Sequence, residues 1–260
     1  MNLLKCARFT LMMTERKIEL YYNQPINKLL IISELEHKET ILKNTKGVII
    51  RCIKLKYVPY FKKILMNHYM LLKNKYNIYE SIATYRDIPL FSYNSKLRTK
   101  QYNNWTEKQL YKKYINKYEF IIDFDNKDND FELTKQECIA VSDYFITLKI
   151  KHEVKLSGSG LHLKTNQIVE NPEKARLIAE KLIRMFGLTT IDLSIYRWQG
   201  IIKTKYTIDY KTNRVSLPIN KLDLENFKLN DYHVDKIIDR KGLLPVKYYE
   251  RRNKKSNKPL

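Results

Sequence analysis

Tyr118-Glu119-Phe120-Ile121-Ile122-Asp123-Phe124-Asp125 is the stretch on which the reading of this 260-residue chain turns. Aromatic and β-branched residues dominate it, and these favour the pleated, half-buried surface of a strand. Side chains alternate along a strand, so Phe120, Ile122 and Phe124 share one face while Asp123 and Asp125 share the other. Two carboxylates on one face of a rigid strand, with Cα atoms about 7 Å apart, suit a divalent cation. Hard oxygen donors favour Mg²⁺ or Mn²⁺, and a pair of such ions serves in-line phosphoryl displacement. The plainer alternative is that both aspartates end the strand and open the polar turn Asn126-Lys127-Asp128-Asn129-Asp130. An EF-hand beginning at Asp123 is excluded: Lys127 falls at its fifth position, Asp128 at its glycine and Thr134 at its twelfth.

Downstream lies Ser157-Gly158-Ser159-Gly160-Leu161-His162. Strand patterns over 153–156 and 161–165 flank the glycines, which predicts a β-hairpin. Glycines let backbone N–H groups approach an anion, and serine hydroxyls add neutral donors. His162, at the start of the return strand, can bond a phosphate, with Lys155 and Lys164 adding charge. The alternative is an ordinary glycine–serine turn with an incidental histidine. Asn171-Pro172-Glu173 then opens a helix in the preferred cap order, with Ala175, Ile178, Ala179, Leu182, Ile183 and Phe186 on its inward side and a stop at Gly187. Further strands are predicted over 190–196 and 214–219.

Upstream, 46–54 reads as a strand, 57–75 as an amphipathic helix with a basic face, and 92–108 as a basic connector. Lys and Arg number 49 against 28 acids, a net charge of +21, which makes a polyanion such as nucleic acid the leading partner class. Arg251, Arg252, Lys254, Lys255 and Lys258 crowd the end of the chain, so 241–260 reads as a basic, flexible tail behind a domain of 1–240. Cys6, Cys52 and Cys138 are scattered, which argues against a disulfide scaffold or a structural zinc site. No run approaches the roughly 18 apolar residues of a membrane span, so the chain reads as soluble and cytoplasmic.

The order Asp-x-Asp strand, Ser-Gly-x-Gly-x-His hairpin and later Ile191-Asp192 resembles the three motifs of the archaeo-eukaryotic primase superfamily. Two further segments are similar to its small catalytic subunit: Ile78-Tyr79-Glu80-Ser81-Ile82-Ala83-Thr84-Tyr85-Arg86-Asp87-Ile88-Pro89, and Lys211-Thr212-Asn213-Arg214-Val215-Ser216-Leu217-Pro218. The resemblance spans 79–218. It implies an α+β fold, with an RRM-like core of mixed or antiparallel sheet and surrounding helices. It also implies a template-dependent nucleotidyltransferase that makes primers on single-stranded DNA: a 3′-hydroxyl attacks the α-phosphorus of a nucleoside triphosphate and pyrophosphate leaves. Asp123, Asp125 and Asp192 would be its metal-binding catalytic carboxylates. Ser157, Gly158, Ser159, Gly160 and His162 would hold the nucleotide, helped by Lys203 and Arg197. A large primase subunit is a further partner that the resemblance allows.

Some positions depart from the pattern. Ser159 stands where the family often has Arg or Lys, Lys203 aligns with an arginine, Thr207 with a serine and Asp209 with a histidine. Lysine keeps the charge and loses the bidentate fork. Trp105, Trp198 and some of the tyrosines could stack on bases. The competing readings are a superfamily polymerase for primer extension or repair, a non-catalytic nucleic-acid-binding module that keeps the fold, and a metal-dependent nuclease.

Overall fold

The computed structural model describes residues 3–35, 38–46, 49–52, 75–85, 115–126 and 129–249. The expected connector 92–108, Trp105, the tail from residue 250 and all but Lys75 of the helix 57–75 lie outside the described residues.

Within them the order is α1 (Leu3–Asn23), α2 (Pro25–Glu34), β1 (Lys38–Asn44), β2 (Ile49–Cys52), β3 (Tyr76–Tyr85), β4 (Ile115–Phe124), α3 (Phe131–Thr147), β5 (His152–Leu156), β6 (Leu161–Val169), α4 (Pro172–Phe186), β7 (Ile201–Lys203), β8 (Ile208–Asp209), β9 (Arg214–Val215), β10 (Pro218–Ile219), α5 (Lys221–Glu225) and α6 (Val234–Ile237). The decisive stretch is β4, at the middle of an antiparallel sheet ordered β10-β5-β6-β4-β3-β1-β2. β7 joins β3 at Tyr79–Ser81, on the edge whose other end, Ala83–Tyr85, pairs with β4. Two strands sharing one edge force the sheet to curl, and Lys155 Nζ on β5 reaches the Lys203 carbonyl on β7.

The alternation expected in β4 holds: Phe120, Ile122 and Phe124 are buried, Asp123 is partly exposed and Asp125 is exposed just past the strand. α3 and α4 pack on β4 and β6. Their Cys138, Val141, Phe145, Ala175, Ala179 and Leu182 belong to one continuous core with Phe120, Ile122, Phe124, Leu161 and Leu163. α3 is capped by Asp130, which accepts from Leu133 N at 3.0 Å. In α4 the cap order works as expected: Asn171 Oδ1 accepts from Lys174 N at 2.8 Å, Pro172 takes the first turn, and Gly187 ends the helix at φ +66°.

Several expectations need correction. Ile178 of α4 is 39% exposed, because the core-facing stripe narrows to Ala175, Ala179 and Leu182, with Ile183 and Phe186 half-buried. The strand expected over 190–196 is a single bridge, Phe124 to Ile191, followed by a 3-10 turn over Leu193–Ile195. The strand over 214–219 is two short ones, β9 and β10, serving different sheets. Packing also continues past 240: Leu244 and Tyr248 are buried, and Gly242, at φ +83°, lies against the Leu20 backbone. β1 was not among the strands expected, and its Lys38, Glu39 and Thr40 are all buried.

The two ends of the described chain close on each other. Tyr21 Oη donates to the Tyr206 carbonyl at 2.7 Å, Tyr22 Oη accepts from Ile208 N at 3.0 Å, and Thr14 Oγ1 donates to Asp235 Oδ2 at 2.7 Å.

Candidate active site

Backbone pairing sets Asp192 opposite Asp123 and leaves Asp125 two residues further along the same chain. Around the Phe124–Ile191 bridge, Asp125 N donates to the Thr190 carbonyl at 2.8 Å and Asp192 N donates to the Asp123 carbonyl at 2.9 Å. Directly opposed residues of an antiparallel pair share a face, so Asp192 comes beside Asp123, with Asp125 two residues along. The Asp192 carboxylate caps the turn behind it, accepting from Ser194 N at 2.8 Å and Ser194 Oγ at 2.7 Å.

The hairpin delivers His162 to the same row. Register sets Asp123 opposite His162, and His162 opposite Lys155. His162 Nε2 lies 3.2 Å from Asp123 Oδ1, at ion-pair distance but off the hydrogen-bond axis. Asp123 Oδ1 and His162 Nδ1 are therefore both buried without an aligned partner. Burial holds the His162 pKa below its ordinary value against the opposing pull of Asp123, so the ring is neutral at neutral pH. Burial likewise lowers Lys155 to about 8.

The glycines of the turn answer first to packing. A Cβ on Gly160 would sit 2.2 Å from the Phe124 carbonyl oxygen, and one on Gly158, at φ +112°, 2.9 Å from Asp209 Cβ. Ser157 N closes the turn onto the Gly160 carbonyl at 2.9 Å, and Ser159 is exposed at its tip. Lys203 is buried, with Nζ 2.7 Å from Asp209 Oδ1 and 4.7 Å from the centroid of the Tyr79 ring. Asp209 Oδ2 accepts from Thr212 N and Oγ1 at 3.0 and 2.8 Å. Asp209, standing where a histidine was expected, thus neutralises the lysine expected to meet a triphosphate. Lys164 is also paired, to Glu119 at 2.7 Å. Arg197 stands beside Tyr118, whose hydroxyl donates to the Arg197 carbonyl at 3.3 Å, five residues along β4 from Asp123. Trp198 lines an open cavity of about 730 Å³ with Ile115, Asn116, Tyr118 and Glu173 at that far end.

Sequence reasoning missed α3's part in the site. Glu137 Oε1 accepts from Thr189 N and Oγ1 at 2.8 and 2.9 Å, and Oε2 accepts from Thr190 N and Oγ1 at 2.9 and 2.6 Å. One turn earlier, Thr134 Oγ1 shares its proton between the Asp125 carbonyl at 3.2 Å and the Asp130 carbonyl at 3.1 Å. A lone Glu and a lone Thr in a helical pattern carry no signal of this in the sequence.

For a divalent cation the donors are suitable: hard carboxylate oxygens, one of them buried and unaligned. Among the described residues no three His, Cys, Asp or Glu side chains converge on one point. Both Asp192 carboxylate oxygens are taken by Ser194, so Asp192 could join a cation with the other two aspartates only by giving up those bonds. In donor chemistry and backbone placement the residues fit.

The architecture is α+β, a curled antiparallel sheet with helices packed on it, as expected from the sequence. No family model matches the chain, and no curated protein does. Among solved structures the chain is similar to the polymerase domain of Mycobacterium tuberculosis ligase D in complex with DNA, with a TM-score of 0.55 over 86% of this chain and 88% of that one, at 12% identity. At that identity the likeness establishes the fold. Among the described residues no helix is long and apolar enough to cross a membrane.

Proposed function

We propose that this chain is a divalent-metal-dependent nucleotidyltransferase acting on DNA, and that it joins nucleotides along a single-stranded template. The observation that carries the reading is the Phe124–Ile191 bridge, which sets Asp192 beside Asp123 while the hairpin sets His162 opposite Asp123. The fold shared with a polymerase domain supports it. Asp123, Asp125 and Asp192 hold the metal. Bound Mg²⁺ or Mn²⁺ supplies activation of the attacking 3′-hydroxyl and neutralisation of charge at the α-phosphorus. His162 and the turn of Ser157, Gly158, Ser159 and Gly160 orient the triphosphate, whose pyrophosphate leaves. Positioning and charge stabilisation carry such a reaction, with no covalent enzyme intermediate. Lys203 contributes only if it exchanges Asp209 for a phosphate.

In this reading the chain makes primers. Extension of an existing primer is the second reading, and the likeness to the polymerase domain of a ligase favours it. Labelled nucleotide incorporation on single-stranded DNA, with and without primer and with Mg²⁺ or Mn²⁺, tests both. Template- and metal-dependent incorporation that disappears in Asp123→Asn is expected, and product from unprimed template selects primer synthesis. An Asp123→Asn variant that incorporates at the wild-type rate overturns the assignment.

A further inference from the structure

Segment 188–192 carries Asp192 but has only two backbone bonds to β4, those flanking the Phe124–Ile191 bridge. Two bonds at the end of a strand restrain such a segment only in part, and burial of Leu188 and Ile191 and the bond from Tyr196 Oη to the Ile121 carbonyl at 2.8 Å add to them. The densest set of polar contacts to it comes from α3. Glu137 receives all four N–H and O–H donors of Thr189 and Thr190, each carboxylate oxygen taking the amide and hydroxyl of one residue. Thr134, one helical turn earlier on the same face, has its hydroxyl within reach of both the Asp125 carbonyl at 3.2 Å and the Asp130 carbonyl at 3.1 Å. Both residues are buried. Burial alone would push the Glu137 carboxyl up, yet the hydroxyl and amide bonds from Thr190 and Thr189 outweigh it, so the group stays ionised.

The firm grip is at one arm of the carboxylate set: Glu137 fixes the segment that leads into Asp192, while Thr134 divides its one hydroxyl proton between the Asp125 and Asp130 carbonyls. Charge-assisted bonds to a buried carboxylate are short and stiff. A four-bond clamp on two consecutive residues also sets the direction in which the chain leaves Thr190 toward Ile191.

We propose that Glu137 is a positioning residue that sets the spacing of Asp192 from Asp123 and Asp125, and with it the affinity of this site for a divalent cation. The proposal rests on the reading of those three aspartates as metal ligands. It needs no contact between Glu137 and the metal, the nucleotide or DNA.

The test is Mn²⁺ binding to the full chain without nucleotide or DNA, read from the electron paramagnetic resonance signal of free Mn²⁺. Wild type is compared with Asp123→Asn, Glu137→Gln, Thr189→Val and Val141→Ala. Glu137→Gln keeps size but presents an NH₂ to donors, and loss of such an outer partner weakens a metal site about ten-fold or more. Thr189→Val removes one bond at an exposed position and is expected to weaken binding about five-fold, which keeps the proposal testable if Glu137→Gln fails to fold. Val141→Ala opens a cavity in the same helix without touching the clamp; it should lower the melting temperature and leave Mn²⁺ affinity unchanged. Wild-type affinity in the folded Glu137→Gln and Thr189→Val variants overturns the proposal while sparing the metal reading, provided Asp123→Asn binds more weakly than wild type. Equal binding by wild type and Asp123→Asn overturns both. If Val141→Ala weakens Mn²⁺ as much as Thr189→Val, the clamp is merely structural and the proposal fails.

Discussion

His162 lies between Asp123 and Lys155, and its Nδ1 has no partner within the protein. A buried ring nitrogen without a partner is costly, and a bound phosphate would relieve it by drawing a second proton onto the ring, so that Nδ1 donates to the phosphate while Nε2–H faces Asp123. His162→Ala should therefore raise the nucleotide KM, with a loss of about 1.5–3 kcal/mol typical of a bond to a charged group. Template affinity should stay unchanged. If melting temperature falls on the same variant while nucleotide dependence does not move, His162 only packs. Lys155 makes a separate, titratable prediction. It faces His162, with Glu80, Lys205, Lys164 and Glu34 acting on it, and burial brings its pKa from 10.5 to about 8. Between those two values the unfolded chain binds a proton that the folded chain has released, so stability contributed at this position rises with pH. Relative to Lys155→Met, wild type should gain stability between about pH 8 and 10.5, as measured by urea midpoints at both ends of that window. A constant difference would show that Lys155 does not titrate there.

The elements most legible in the sequence are those whose local chemistry agrees with their tertiary setting. β4 shows its alternation, β5 and β6 their glycine-punctuated hairpin, and α4 its cap and stop. β1 was hidden because its polar residues are buried by contacts that only the fold supplies: Lys38 bonds Glu119 and the Ser81 and Ile82 carbonyls, and the Glu39 amide donates to the Ser81 hydroxyl. Segment 190–196 looked like a strand because Ile191, Leu193 and Ile195 alternate. The Asp192 carboxylate instead takes the Ser194 amide and hydroxyl, turning the chain after one bridge. Of the candidate site, the sequence motif order points to the aspartates and His162, while Glu137 and the Lys203–Asp209 pair depend on contacts across the fold. Gly160 tests the hairpin as an element. Its missing Cβ admits the Phe124 carbonyl, and the obstructing atom is backbone, which cannot rotate aside. Gly160→Ala should cost about 1–3 kcal/mol or more by forcing β6 from β4. Thermal melts compared with Gly187→Ala, which meets no neighbour within 4 Å but has φ +66°, separate crowding from backbone strain. Equal, small losses at both positions would remove the close-packing argument.

At the scale of the whole molecule the charge of +21 asks to be explained by a polyanion or by composition alone. Several of the lysines are consumed internally, as with Lys38 on Glu119, Lys203 on Asp209, and Lys205 on Glu34 and Glu153. If the remainder meets DNA, affinity for a single-stranded oligonucleotide should fall steeply with salt, since each phosphate neutralised releases counterion with a slope of about −0.7 on logarithmic axes. Fluorescence anisotropy between low and moderate salt measures that slope, and a flat line would mean that the basic character serves no nucleic acid. The closure of the two ends has a consequence for how the molecule comes into being. Tyr22 meets its partner Ile208 across 186 residues, and Thr14 meets Asp235 across 221. A ribosome adding roughly 5–20 residues per second needs about 10–40 s to deliver Ile208 after Tyr22. For that interval the first helix has been synthesised without the chain that later covers its tyrosines, and folding that depends on such distant contacts is intrinsically slow. The newborn chain therefore passes through a period in which Tyr21 and Tyr22 are available to chaperones, and the sheet behind them is sealed only once the segment from Tyr206 to Asp235 has been made.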